Sequence, residues 1–153
     1  MKDLIISLIL VITAFSGCKE DPKLHPESSK LEGINATWVL TKVSQIDPGN
    51  KDEVLDVSFV FTEGDPVEMT INSADFTYQF KNGNPLYMGN AGTWAFDDNN
   101  YPTLITINHD SKTEEVKLLR TIRTVDQILS FELNRYCDGG TKTTTYQYEF
   151  TRK

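Results

Sequence analysis

The sequence predicts an all-β domain: an antiparallel up-and-down sheet of about eight strands closed into a barrel, with a β-sandwich as the alternative. Three observations lead there. From Thr37 onward, apolar and polar residues alternate with a period of two, which buries one face of each strand and wets the other. Turn-forming clusters of Gly, Asn, Asp and Pro separate the alternating runs, each supplying a backbone shape that strands avoid. The links are short, so successive runs pair as hairpins, and closing the meander removes two edges that would recruit other chains.

A short turn of helix is expected first, over residues 29–35, then a first strand from Thr37, then a longer loop starting at Asp47-Pro48-Gly49-Asn50. Val57, Phe59 and Phe61 share a face opposite Ser58 and Thr62, which reads as a strand ending at Glu63-Gly64-Asp65-Pro66. Val67, Met69 and Ile71 alternate with Glu68, Thr70 and Asn72, and Phe76, Tyr78 and Phe80 with Thr77, Gln79 and Lys81. Residues 81–85, Lys-Asn-Gly-Asn-Pro, form a turn, followed by a strand carrying Trp94 and Phe96, a turn at Asp97-Asp98-Asn99-Asn100, and a strand carrying Ile105 and Ile107. Residues 114–123 fit two patterns. Ser111-Lys112-Thr113-Glu114 resembles a helix-capping box, whereas Val116, Leu118 and Ile122 fit a strand interrupted by Arg120; strand is preferred because its neighbours are strands. Leu129, Phe131 and Leu133, then Tyr146, Tyr148 and Phe150, alternate in the closing pair, with a turn at Asp138-Gly139-Gly140.

The inward face is rich in rings: Phe59, Phe61, Phe76, Tyr78, Phe80, Trp94, Phe96, Phe131, Tyr146, Tyr148 and Phe150. Aromatic side chains each bury about 150–250 Å², so they either fill the barrel or line an aromatic pocket at one mouth. In the pocket reading, Tyr78, Trp94, Phe131, Tyr146 and Tyr148 line a site for a small apolar ligand. The net charge of −7 argues against nucleic acid as a partner.

The first residues are of another kind. Residues 4–15 form a short apolar run, ended by Phe15-Ser16-Gly17-Cys18. A dozen residues cannot cross a bilayer as a helix, which takes about twenty, but they suit a secretion signal. The last four resemble a bacterial lipobox, which implies cleavage before Cys18, lipid on its thiol, and mooring at the cell envelope on the outer membrane, periplasmic or surface-exposed. Residues 1–17 are then a signal, 18–31 a polar tether and 32–153 the barrel domain. Lys19-Glu20-Asp21 resembles the surface-export tag of some Gram-negative lipoproteins. With Cys18 lipidated, Cys137 lacks a partner and reads as a buried or inert thiol.

The folded part resembles the lipocalin-like domains of bacterial lipoproteins. The matching pieces are Leu31-Glu32-Gly33 with Trp38-Val39-Leu40 at the first strand, residues 92–96 with 104–107 as a mid-barrel hairpin, and residues 126–133 with 146–152 as the closing pair. Ala36 stands two residues before Trp38 where glycine is usual, and no helix is expected after the last strand. The lipobox, the tether and the closed-sheet pattern together, without a catalytic constellation, point to a non-enzymatic, membrane-tethered domain binding a small apolar molecule or a partner protein. A structural or inhibitory surface protein acting through its loops is the second reading. An enzyme using Arg120, Asp126, Tyr78 and Tyr146 is the third. No cofactor or metal is expected: residues 97–100 lack the glycine and glutamate of a calcium loop, and His25 and His109 have no zinc-site spacing.

Overall fold

Alternation along the chain becomes one antiparallel sheet that closes on itself. A computed structural model describes residues 26–153 apart from Tyr87, Asp138 and Gly139, with the side chains of 26–29 and 62 also outside the description. The signal, Cys18 and the tether up to residue 25 therefore lie outside the described residues. The elements are α1 (Pro26–Ile34), β1 (Ala36–Ile46), β2 (Val54–Asp56), α2 (Phe59–Thr62), β3 (Glu68–Asn72), β4 (Thr77–Lys81), β5 (Ala91–Phe96), β6 (Leu104–His109), β7 (Lys112–Leu118), β8 (Ile128–Tyr136) and β9 (Lys142–Arg152).

Strand order is β2-β1-β3-β4-β5-β6-β7-β8-β9, and β9 pairs back onto β1. The result is a closed eight-stranded antiparallel barrel of lipocalin-like form. Strands β2 and β3 share one flank of β1. Residues Ser44–Ile46 pair with β2 and Ala36–Val39 with β3, so together they act as one interrupted barrel strand. Long β1 bends by a bulge between Leu40 and Lys42. The extra residue switches the parity, so that Trp38 and Leu40 face the core before it and Val43 after it,.

The two ends differ. At the end where β1 starts, α1 lies across the barrel: Ile34 is fully buried, and the Trp38 indole Nε1 donates to its carbonyl at 2.9 Å. The Arg152 guanidinium sits 4.8 Å over the Trp38 ring and donates to the Gly33 carbonyl,. Trp38 and Arg152 are directly paired across the β1–β9 seam, so one cation–π contact fastens both the closure and the helix. The other end carries the β1–β2, β4–β5, β6–β7 and β8–β9 connections. Between the ends lies one continuous core, including Trp38, Met69, Leu129, Phe131, Leu133, Tyr148 and Phe150.

The structure corrects several expectations. Residues 57–62 are not a strand: β2 ends at Asp56, and Phe59–Thr62 forms a single helical turn with Phe59 63% exposed. Ser58 explains this, because its hydroxyl accepts from the Val43 N–H at 2.9 Å and donates to Asp56 at 2.5 Å. The bonds to Ser58 turn the chain out of the sheet there. Phe76 occupies a left-handed turn position with φ of 56° and is partly exposed, instead of facing inward. Residues 112–118 are strand, as preferred, but residues 119–127 form a loop. The helix begins at Pro26, within the stretch assigned to the tether, and its Lys30 is buried. Cys137 is exposed.

Candidate functional site

The five ring-bearing residues assigned to a pocket are distributed through the barrel. Phe131 and Tyr148 are cross-strand partners on β8 and β9 and are fully buried. Half-buried Tyr146 stacks at a tilt 6.2 Å from Tyr148. Tyr78 is buried on β4, and its hydroxyl donates to the Gly89 carbonyl at 3.0 Å. Burial pushes the Tyr78 phenol pKa up, and the Asp110 charge adds to this. Trp94 lies toward the opposite end, its indole N–H shared between the carbonyls of Thr77 at 3.1 Å and Asn72 at 3.3 Å. Tyr146, Tyr148 and Phe131 are thus brought together, while Trp94 is not.

The mouth above them is occupied. The described residues between β4 and β5, 82–86 and 88–90, fold down as a plug with Pro85, Leu86 and Met88 buried. The Tyr148 hydroxyl donates to the Pro85 carbonyl at 2.9 Å, and the Arg135 guanidinium donates to the Leu86 carbonyl. Gly89 lets the plug close onto β6, since a Cβ there would stand 2.7 Å from the Cβ of His109. His109 is buried beneath it, both ring nitrogens without a hydrogen bond among the described residues.

Two surface features stand outside the barrel. The first is an apolar ledge on β2 and α2: Val54, Leu55, Phe59 and Val60 are each more than half exposed. Exposed acids flank it in the chain, namely Asp52, Glu53, Asp56, Glu63 and Asp65. Hydrogen bonds from the Ser58 hydroxyl and N–H lower the Asp56 pKa, although desolvation opposes them. The Lys42 charge adds to this lowering, and exposed Lys51 adjoins Asp52, so the surroundings of the ledge are acidic on balance, with two lysines among five acids.

The second is a groove of about 680 Å³ at the α1 end, lined by Arg120, Thr121, Arg123, Asp126 and Gln127 of the β7–β8 loop and by Ile128 at the start of β8. It joins Arg120 to Asp126, two of the four residues considered for an enzyme. Tyr78 and Tyr146, the other two, belong to the barrel wall. Ile122 anchors the loop by turning into the core. Its carbonyl accepts from the buried Lys30 ammonium at 2.8 Å.

Sequence reasoning missed the ledge because its alternation imitates a strand, and missed the groove because it is formed by a loop. Among the described residues no group of His, Cys, Asp and Glu could hold a metal, and no described helix is long and apolar enough to cross a membrane. The chain matches no protein-family model and no curated protein.

Proposed function

We propose that this chain is a non-enzymatic accessory protein of the lipocalin-like lipoprotein kind, moored to the outer membrane through lipid on Cys18, whose barrel is a solid scaffold and whose working surface is the β2–α2 ledge. The observation that carries the reading is the exposure of Val54, Leu55, Phe59 and Val60 together, beside a barrel whose interior is taken up by its own side chains. Clustered exposed apolar groups with a polar rim mark interaction surfaces. Cutting the sheet at Asp56 and turning Phe59 outward costs core burial, roughly 1.5–3 kcal/mol for a side chain of this size, which a purely structural loop has no reason to give up.

The acidic rim selects the partner. Anionic lipid head groups are repelled by it, and so is a second copy of this acidic chain. A protein with an apolar socket ringed by Lys or Arg complements it. The small-apolar-ligand reading requires the plug at 82–90 to leave the mouth, breaking its bonds to Tyr78, Arg135 and Tyr148, and is the weaker one.

Photo-cross-linking in intact cell envelopes from position 59, with exposed Tyr101 as the comparison site, tests the proposal. The expected result is one protein adduct of defined mass from position 59 only. Its yield falls in high salt, and the socket it maps to carries basic residues. Adducts to lipid alone, or equal labelling from both positions, would contradict it.

A further inference from the structure

The groove of the β7–β8 loop has the chemistry of a binding site, at the far end of the barrel from the ledge. Its lining holds two guanidinium groups and one carboxylate, with Thr121 and Gln127 able to donate or accept,. Arg120 is exposed and has no hydrogen-bond or ion-pair partner among the described residues. Arg123 meets Asp126 at 3.3 Å through Nε, which leaves its terminal amino groups available, since a guanidinium carries five N–H donors. Two guanidinium groups thus face one carboxylate, on a chain whose net charge is −7.

The loop is also set in place before any ligand arrives. Lys30 grips the Ile122 carbonyl from below. Gly33 of α1 lies so close that a Cβ would stand 2.8 Å from the Arg123 carbonyl carbon. The backbone is tied at Leu119 to Ser130, at Asp126 to Arg123 and at Gln127 to Arg152, all at 2.9–3.0 Å. A buried lysine spent on one loop carbonyl is unusual, because burial of an ammonium is expensive unless it is hydrogen-bonded. Preorganisation of this kind lowers the entropy lost on binding. Ile128, 39% exposed, adds an apolar wall.

We propose that this groove binds an oxyanion carried on a small apolar body, with Arg120 and the terminal amino groups of Arg123 holding the oxyanion and Ile128 packing against the body. Guanidinium groups pair with phosphate or carboxylate oxygens in two-point fashion. The volume lies within the range of small-molecule sites. The oxyanion belongs either to a soluble molecule or to a lipid head group, and α1, which leads toward the N-terminal tether, underlies the same loop. The site is independent of the ledge, so its failure leaves the partner-docking reading intact.

The test uses the full chain in phosphatidylcholine nanodiscs, read by backbone amide shifts of residues 119–128. Phenyl phosphate and inorganic phosphate are added in one arm; phosphatidylglycerol replaces part of the lipid in the other. The expected result is saturable shifts confined to this loop, with phenyl phosphate binding more tightly than inorganic phosphate. Shifts in the phosphate arm assign a soluble source, and shifts with phosphatidylglycerol a lipid head group. Arg120→Gln, at an exposed position, and Arg123→Gln should each weaken binding about tenfold or more, as expected for a lost charge-assisted hydrogen bond. Lys112→Gln, on the far hairpin, should leave it unchanged. No loop shifts in either arm, or equal affinity in Arg120→Gln, would overturn the site.

Discussion

At Gly92 a missing side chain decides how closely two strands approach. A Cβ there would lie 2.2 Å from the Asn108 carbonyl oxygen and 3.0 Å from the Tyr78 ring, both parts of the barrel wall. Gly92→Ala should lower stability by about 1–3 kcal/mol, the usual range for overpacking, measured as a shift in urea midpoint. Asp97 shows the opposite case, a side chain doing backbone work. Its carboxylate accepts from the Thr103 N–H at 2.9 Å, the Thr103 hydroxyl at 2.6 Å and the Leu104 N–H at 3.0 Å, pinning the β5–β6 loop. Desolvation acts to raise its pKa, but these bonds and one from the Asp98 backbone outweigh it and bring the value from an ordinary 3.8 down to about 2. A depressed carboxyl pKa stabilises the fold above the unfolded value and loses that contribution as pH falls through the folded one. Protection of the Thr103 and Leu104 amides from hydrogen exchange should therefore fall between pH 4 and 2 as Asp97 protonates, and Asp97→Asn should remove that dependence. The sequence shows Asp97 only as part of a turn; its Thr103 and Leu104 partners lie six and seven residues on.

The elements differ in how much of them is legible in the chain. Strands β3, β4, β8 and β9 follow the alternation closely, because Met69 and Ile71, Tyr78 and Phe80, Leu129 to Leu133, and Tyr148 with Phe150 all face one core. Residues 57–61 alternate equally well and are not a strand. Period-two spacing reports a possible face, whereas the hydrogen bonds of Ser58 to Asp56 and Val43 fix the path. The 82–90 connection shows a third case. Its Asn-Gly-Asn-Pro start reads correctly as a turn, with Asn82 and Gly83 at positive φ, yet the burial of Leu86 depends on Tyr148 and Arg135, about 60 and 50 residues away. Nothing local encodes that. If the plug fills the mouth, Leu86→Ala should leave a cavity, cost about 2–5 kcal/mol and let the barrel take up xenon, which the parent chain should exclude. The midpoint of chemical unfolding and a xenon-derivatised crystal measure the two effects.

For the molecule as a whole, closure by β1 and β9 and the filling of the interior belong together. Eight strands enclose a space just wide enough for side chains or one small ligand, and here Trp38, Phe131, Tyr148, Phe150 and the plug residue Leu86 are fully buried. The sequence supplied the bulky inward face, but it could not say whether the rings met or left a space, since that depends on strand tilt and on the plug. It named Arg120 and Asp126 without a reason to join them; the loop geometry provides one, and Arg123 with them. The molecule is thus a filled barrel with an apolar ledge toward one end and an arginine-lined groove at the other. Native mass spectrometry of the purified protein, after exposure to a mixture of small apolar molecules, tests that filled barrel. The expected mass is that of the polypeptide as isolated, with no non-covalent occupant. A single apolar molecule retained at one-to-one stoichiometry, and lost when the barrel unfolds, would refute the filled interior.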